Sequence, residues 1–312
     1  MEVLVWWSSL AKASHQTDPY SLTIEAAILQ TIAYADVFDY PLTAEEIYRY
    51  LIGMPASRAT VRASLHSEPL SRLLTYRQGF FALPGRVTLA TTRCWRMEVA
   101  RKMWGRAFHY GQTMAALPFV RMVAVTGALA VSNVEPGADI DYLIVTEAGR
   151  LWLCRALIIL LVKLAARRGD TLCPNYLLSE HALVFQERTL YTAHELTQMV
   201  PIAGLAIYHR LRQLNQWTAL FLPNADGPPR RVIEHVPPHP WARALAESAL
   251  RSQLGAWLER WEMERKMRKF GQQNGSSEAE FCADWCKGHF QNHGQRTLEA
   301  FCKRLRQLEE LL

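Results

Sequence analysis

Two aspartates stand one residue apart in 137-GADIDYLIV-145, and an apolar run follows them. Side chains on a strand alternate between its faces, so Asp139 and Asp141 point the same way. Two carboxylates side by side repel each other. Either something positive lies between them or that part of the strand is open to solvent. Hard divalent cations take carboxylate oxygens as ligands, so metal-dependent chemistry is the reaction class to test against the rest of the chain.

The elements that must position the pair can be read on both sides of it. In 122-MVAVTGALAVSNVEPGADIDYLIVTE-147 an apolar run reaches Gly127 and a second run carries the aspartates. The pattern predicts a strand over 121–126, a turn and short helix from Gly127, and a strand over 138–146. A helix over 151–167 and a strand over 175–185 follow. A turn that opens a helix presents unpaired backbone N–H groups, and glycine lets an anionic ligand approach them closely.

This stretch resembles the signature of the DNA polymerase β-like nucleotidyltransferase superfamily: a hydrophobic strand, Gly followed by Gly or Ser, about ten residues, and Asp-x-Asp on the next strand. Gly127-Ala128 takes the Gly-Ser place, ten residues separate Ala128 from Asp139, and Asp139-Ile140-Asp141 supplies the pair. The resemblance covers about residues 120–185. It implies a two-metal mechanism in which Mg²⁺ or Mn²⁺, held by Asp139 and Asp141, stabilises the attacking and leaving oxygens while a nucleoside monophosphate passes from an NTP to a hydroxyl. Ala128 departs from the family by lacking the hydroxyl that touches a phosphate, for which Thr126 or Ser132 could substitute. The family's third carboxylate lies on a later strand. Glu180 is the acid of 173-CPNYLLSEHALVF-185, and reads either as that metal ligand and base or as a strand-end surface residue. Arg155, eight residues before Lys163 on one helix face, reads as a phosphate partner or as an arginine at the rim of an apolar helix.

Upstream, residues 1–87 read as a winged-helix-like domain. Thr43 and Glu46 form a capping box before 44-AEEIYRYLIG-53, Ser57 caps a third helix that Pro69 must kink or end, and Gln78-Gly79 marks a hairpin. Its third helix carries Arg58, Arg62 and Arg72, suited to DNA or to no more than protein docking. Residues 88–119 read as a long connecting helix, 120–188 as the nucleotidyltransferase core and 189–312 as a C-terminal helical region. In that last region 190–224 is helical and broken at Pro201, a Pro-rich linker follows, and helices cover 241–270 and 278–312. The expected class is α+β.

The 312 residues are half hydrophobic, with a net charge of +6 and a pI near 9.0, an ordinary globular composition that tolerates a polyanionic partner. The apolar stretch 151–169 is interrupted by Arg155 and Lys163 and is too short to span a bilayer. The start, MEVLVWWSSLAKASH, lacks the basic lead-in of a signal peptide. Six scattered cysteines fit a reducing, cytoplasmic setting. Cys282, Cys286, His289 and His293 fall on one face if 278–312 is a helix. The first and last would then be about 16 Å apart, too far for one zinc ion.

The expectation is therefore a Mg²⁺-dependent nucleotidyltransferase acting on an NTP and a hydroxyl acceptor, RNA among the candidates. The alternatives are a catalytically degenerate fold that binds nucleotide or nucleic acid through its winged helix, and a DNA-binding regulator with a ligand-sensing central domain.

Overall fold

The structure is a computed structural model that describes residues 22–230, 240–271, 282–287 and 293–310. It is α+β, with a two-stranded hairpin, a five-stranded mixed sheet and helices on both faces of that sheet.

The N-terminal part holds α1 (Ile24–Asp36), α2 (Ala44–Arg49), α3 (Arg58–His66) and the single turn α4 (Leu70–Leu73), then β1 (Thr75–Arg77) and β2 (Phe80–Ala82). Local chemistry sets these boundaries. Thr43 and Glu46 form the reciprocal capping box at α2, and Ser57 accepts from the Thr60 N–H at α3. The helix before Pro69 stops at His66. Gln78 and Gly79 both have positive φ (53° and 87°), the backbone that a tight two-residue hairpin turn requires. Ile28, Ile32, Ile47, Leu51, Val61, Leu65 and Phe81 form a separate small core here.

The long α5 (Leu89–Ala115) leads into the larger sheet. Its strands are β3 (Val120–Val125), β4 (Ile140–Thr146), β5 (Leu172–Ser179), β6 (Val200–Ala203) and β7 (Trp285–Lys287), in the order β6-β3-β4-β5-β7. Only β4 and β5 are parallel, joined by the crossover helix α7 (Leu151–Ala166). The short α6 (Gly127–Ala130) links β3 to β4. Strand β4, IDYLIVT, is apolar on both faces because both are covered. Tyr142 and Ile144 face a core shared with α5 and α7. Leu143 and Val145 face a second core built with α8 (Leu190–Gln198), α9 (Leu205–Leu214) and Phe301 of α12 (His293–Glu309).

Four expectations are corrected. The helical reading of 190–224 contains β6, which Pro201 tolerates because β6 is an edge strand bonded only to β3. The strand expected over 175–185 starts at Leu172 and ends at Ser179. The helix expected over 241–270 is two, α10 (Pro240–Leu250) and α11 (Gln253–Gly271). Within 278–312, Trp285–Lys287 pairs with β5 as β7, and the helix begins only at His293. Cys286 is therefore on a strand and Cys282 in the segment before it, not on one helix face, while His289 lies outside the described residues. No helix among the described residues is long and apolar enough to cross a membrane.

Candidate metal centre

The centre is built at one end of the sheet. Asp141 is the second residue of β4 and Asp139 immediately precedes the strand. Opposite Asp141 across the parallel β4–β5 ladder stands Cys173. One ligand atom from each of Asp139, Asp141 and Cys173 lies within 4.8 Å of the others. Asp139 is exposed, while Asp141 and Cys173 are partly covered.

A bulge sets this geometry. The ladder pairs Tyr142 with Pro174 and Leu143 with Tyr176, so Asn175 has no partner of its own in β4. An inserted residue bends a strand and re-aims side chains. The Asn175 amide donates to Asp141 Oδ1 at 2.6 Å and its carbonyl accepts from the Cys173 thiol at 2.7 Å. Asparagine thereby orients two of the three candidate ligands.

The turn closes the other side. The Thr126 N–H donates to the Asp141 carbonyl at 3.0 Å. Gly127 has φ of +64°, and a Cβ built on it would sit 2.2 Å from Asp141 Oδ2. Only glycine allows the turn to press against the carboxylate in this backbone. The Thr126 hydroxyl is buried and has no hydrogen-bond partner among the described residues. Ala128 is exposed on the same turn.

Electrostatically the cluster is dominated by negative charge. Burial, then the charges of Asp139 and of Glu195 on α8, push the Asp141 carboxyl up to about 7, against the opposing Asn175 bond. Burial and the two aspartates push the Cys173 thiol up to about 12. Two carboxylates and a thiol that converge within ligand distance suit a divalent ion, so the donor set fits a metal.

Three expected site residues are not brought to this centre. Glu180 follows β5, its N–H donating to Thr146 at the far end of β4. Thr146 lies five residues along the strand from Asp141, about 16 Å away. Glu180 thus does not join the cluster, and the acids that act on Asp141 are Asp139 and then Glu195. Arg155 is on α7, which covers the Tyr142–Ile144 face, whereas strand alternation turns Asp141 to the opposite face with Leu143 and Val145. Its guanidinium lies against Cys286 and over the Trp152 ring instead. Ser132 is held elsewhere too. Its hydroxyl accepts from Arg230, in a cavity of about 500 Å³ between the N-terminal helices and residues 224–230 that Tyr40, Arg49 and Arg93 help to line.

Sequence reasoning missed Cys173, Asn175 and Glu195. Cys173 and Asn175 stand in the quoted run, but their role depends on the register against β4, and Glu195 belongs to a helix that reaches the site only through packing.

Arg93 braces the segment that follows the turn. Almost fully buried, it donates to the carbonyls of Val131 (2.9 Å) and Ser132 (2.8 Å), to the Tyr40 hydroxyl (3.0 Å) and to Glu46 (2.8 Å). The residues after α6 are thus tied through one side chain to α2 and to the loop before it.

Comparisons of the chain with protein-family models, with curated proteins and with solved structures found no match.

Proposed function

We propose that the protein is a divalent-cation-dependent nucleotidyltransferase that moves a nucleoside monophosphate from an NTP to a hydroxyl acceptor. The observation that carries this reading is the packing of Gly127 against Asp141, with Asp139 alongside: a strand, a glycine turn and two converging carboxylates in the order the resemblance implies. Mg²⁺ or Mn²⁺, when bound, would neutralise charge on the phosphoryl oxygens and on the attacking and leaving groups. The chain's own residues hold and orient. Asp139 and Asp141 supply the ligands, and Asn175 fixes the Asp141 carboxylate. The turn at Gly127–Ala128 would offer its backbone N–H groups to the triphosphate, and these survive the loss of a hydroxyl at Ala128.

In the same reading, residues 24–82 are a winged helix and 120–179 a polymerase β-like core. An RNA end is one acceptor the mild basicity suits. Direct DNA reading by α3 and α4 is less favoured, because Arg58 and Arg62 of α3 both pair with Glu45 and Arg72 of α4 pairs with Glu68.

A second reading follows from the remoteness of Glu180. With that carboxylate at the other end of β4, the fold could bind nucleotide without turning it over. Labelled-nucleotide transfer and calorimetry separate the two. For the enzyme, transfer should occur in the wild type and vanish in Asp139→Asn and in Asp141→Asn with folding retained. Nucleotide binding with no transfer across the four NTPs would favour the binding module, and wild-type turnover in either variant would refute the site.

A further inference from the structure

We propose that Cys173 is the third protein ligand of this centre, and that it makes the site select borderline divalent ions, such as Co²⁺ and Zn²⁺, over the hard ion Mg²⁺. The inference rests on the metal-dependent reading above and adds to it the identity of the ion.

Three observations place the sulfur among the ligands. Cys173 is the register partner of Asp141, so the two side chains leave neighbouring strands side by side. Its sulfur belongs to the same 4.8 Å cluster as the two carboxylates. Asn175 bonds both groups, accepting from the thiol and donating to Asp141, which holds sulfur and oxygen on one side of the β5 bulge. Among the described residues, no other His, Cys, Asp or Glu joins the cluster at that separation.

Ligand chemistry then decides the ion. Mg²⁺ is hard, prefers six oxygens in near-ideal octahedral geometry and gives up its waters reluctantly. A thiolate gains little with such an ion, whereas it bonds well to Zn²⁺ and Co²⁺, and the Irving–Williams order favours these over Mn²⁺ for any mixed donor set. A site of two carboxylates and one sulfur thus discriminates by donor softness. Binding is balanced by proton release. The Cys173 S–H bond breaks, a sulfur–metal bond forms and one proton passes to solvent, so affinity through the sulfur rises with pH.

The test uses the full-length protein and Co²⁺ as a spectroscopic probe. Wild type should show a thiolate-to-Co²⁺ charge-transfer band at one equivalent, absent in Cys173→Ser. Asp139→Asn should weaken the titration that produces it. Competition calorimetry should show the Co²⁺:Mg²⁺ affinity ratio falling by about tenfold or more in Cys173→Ser, with Cys173→Asp shifting the preference further toward Mg²⁺. Co²⁺ binding that depends on Asp139 but gives no such band, or an unchanged ratio in Cys173→Ser, would overturn the role of Cys173 and leave the metal-dependent reading standing. Absence of any Asp139-dependent divalent binding would overturn both. Circular dichroism of each variant separates loss of a ligand from loss of the fold.

Discussion

Gly127 and Asp141 are packed so closely that a single added methyl on the glycine would lie 2.2 Å from the carboxylate oxygen. The turn and the second aspartate are therefore one geometric unit. Gly127→Ala should pay twice: alanine disfavours φ of +64°, at about 1–2 kcal/mol, and the Asp141 side chain must leave its bond with Asn175. Urea unfolding should report the first loss. A Mn²⁺ titration followed by electron paramagnetic resonance should report the second, as affinity lower by about tenfold or more. Wild-type affinity in a folded Gly127→Ala protein would show that the close packing is incidental.

Asp141 gives the chain a pH signature in the absence of divalent ions. Its folded-state pKa of about 7 lies above the ordinary value of 3.8. The native state therefore holds this proton more tightly than the unfolded chain does, and stability falls as pH rises from about 4 to about 7. Asp141→Asn removes the penalty. The variant should gain stability over wild type at pH 8 in EDTA and lose most of that advantage at pH 5, as denaturant midpoints would show. Saturating divalent ion should reverse the pH 8 ranking, since the carboxylate is then paired.

The acids around the pair should separate by position. Glu180→Gln should leave Mn²⁺ affinity within about twofold of wild type, because that end of the sheet lies five residues along β4 from Asp141, about 16 Å away. Glu195→Gln should weaken Mn²⁺ binding, since its negative field acts on Asp141, and should lower the Asp141 pKa for the same reason. Isothermal titration of both variants checks the pair of outcomes, and equal effects would mean that the sheet ends are wrongly assigned.

Arg93→Met should be among the most damaging substitutions outside the centre. It leaves Glu46 without its buried cation and removes donors from the Val131 and Ser132 carbonyls and from Tyr40. Breaking such a buried pair costs about 3–5 kcal/mol. Chemical denaturation would measure it, and a loss under about 1 kcal/mol would mean that water replaces the guanidinium without penalty.

What was legible in the chain was what local chemistry fixes. The Thr43–Glu46 capping box, the Ser57 cap and the Gln78-Gly79 hairpin each depend on residues within a few positions of one another, and each forms as read. The strand–glycine–strand order around Asp139 and Asp141 was legible for the same reason. Edge strands were not. In β6 four residues holding a proline stand between two helical segments, and in β7 the three residues Trp285–Lys287 become a strand only because β5 offers them an open edge. The third ligand was hidden by register. Which residue of β5 faces Asp141 depends on a bulge at Asn175, and one position of slip would have turned Cys173 away.

The brace at Arg93 makes the two parts of the molecule mechanically one. A load that displaced Tyr40 or Glu46 would be felt at Val131 and Ser132, only a few peptide units downstream of Gly127. Whatever grips the N-terminal helices thereby acquires a lever on the turn at Gly127, with no hinge needed between them.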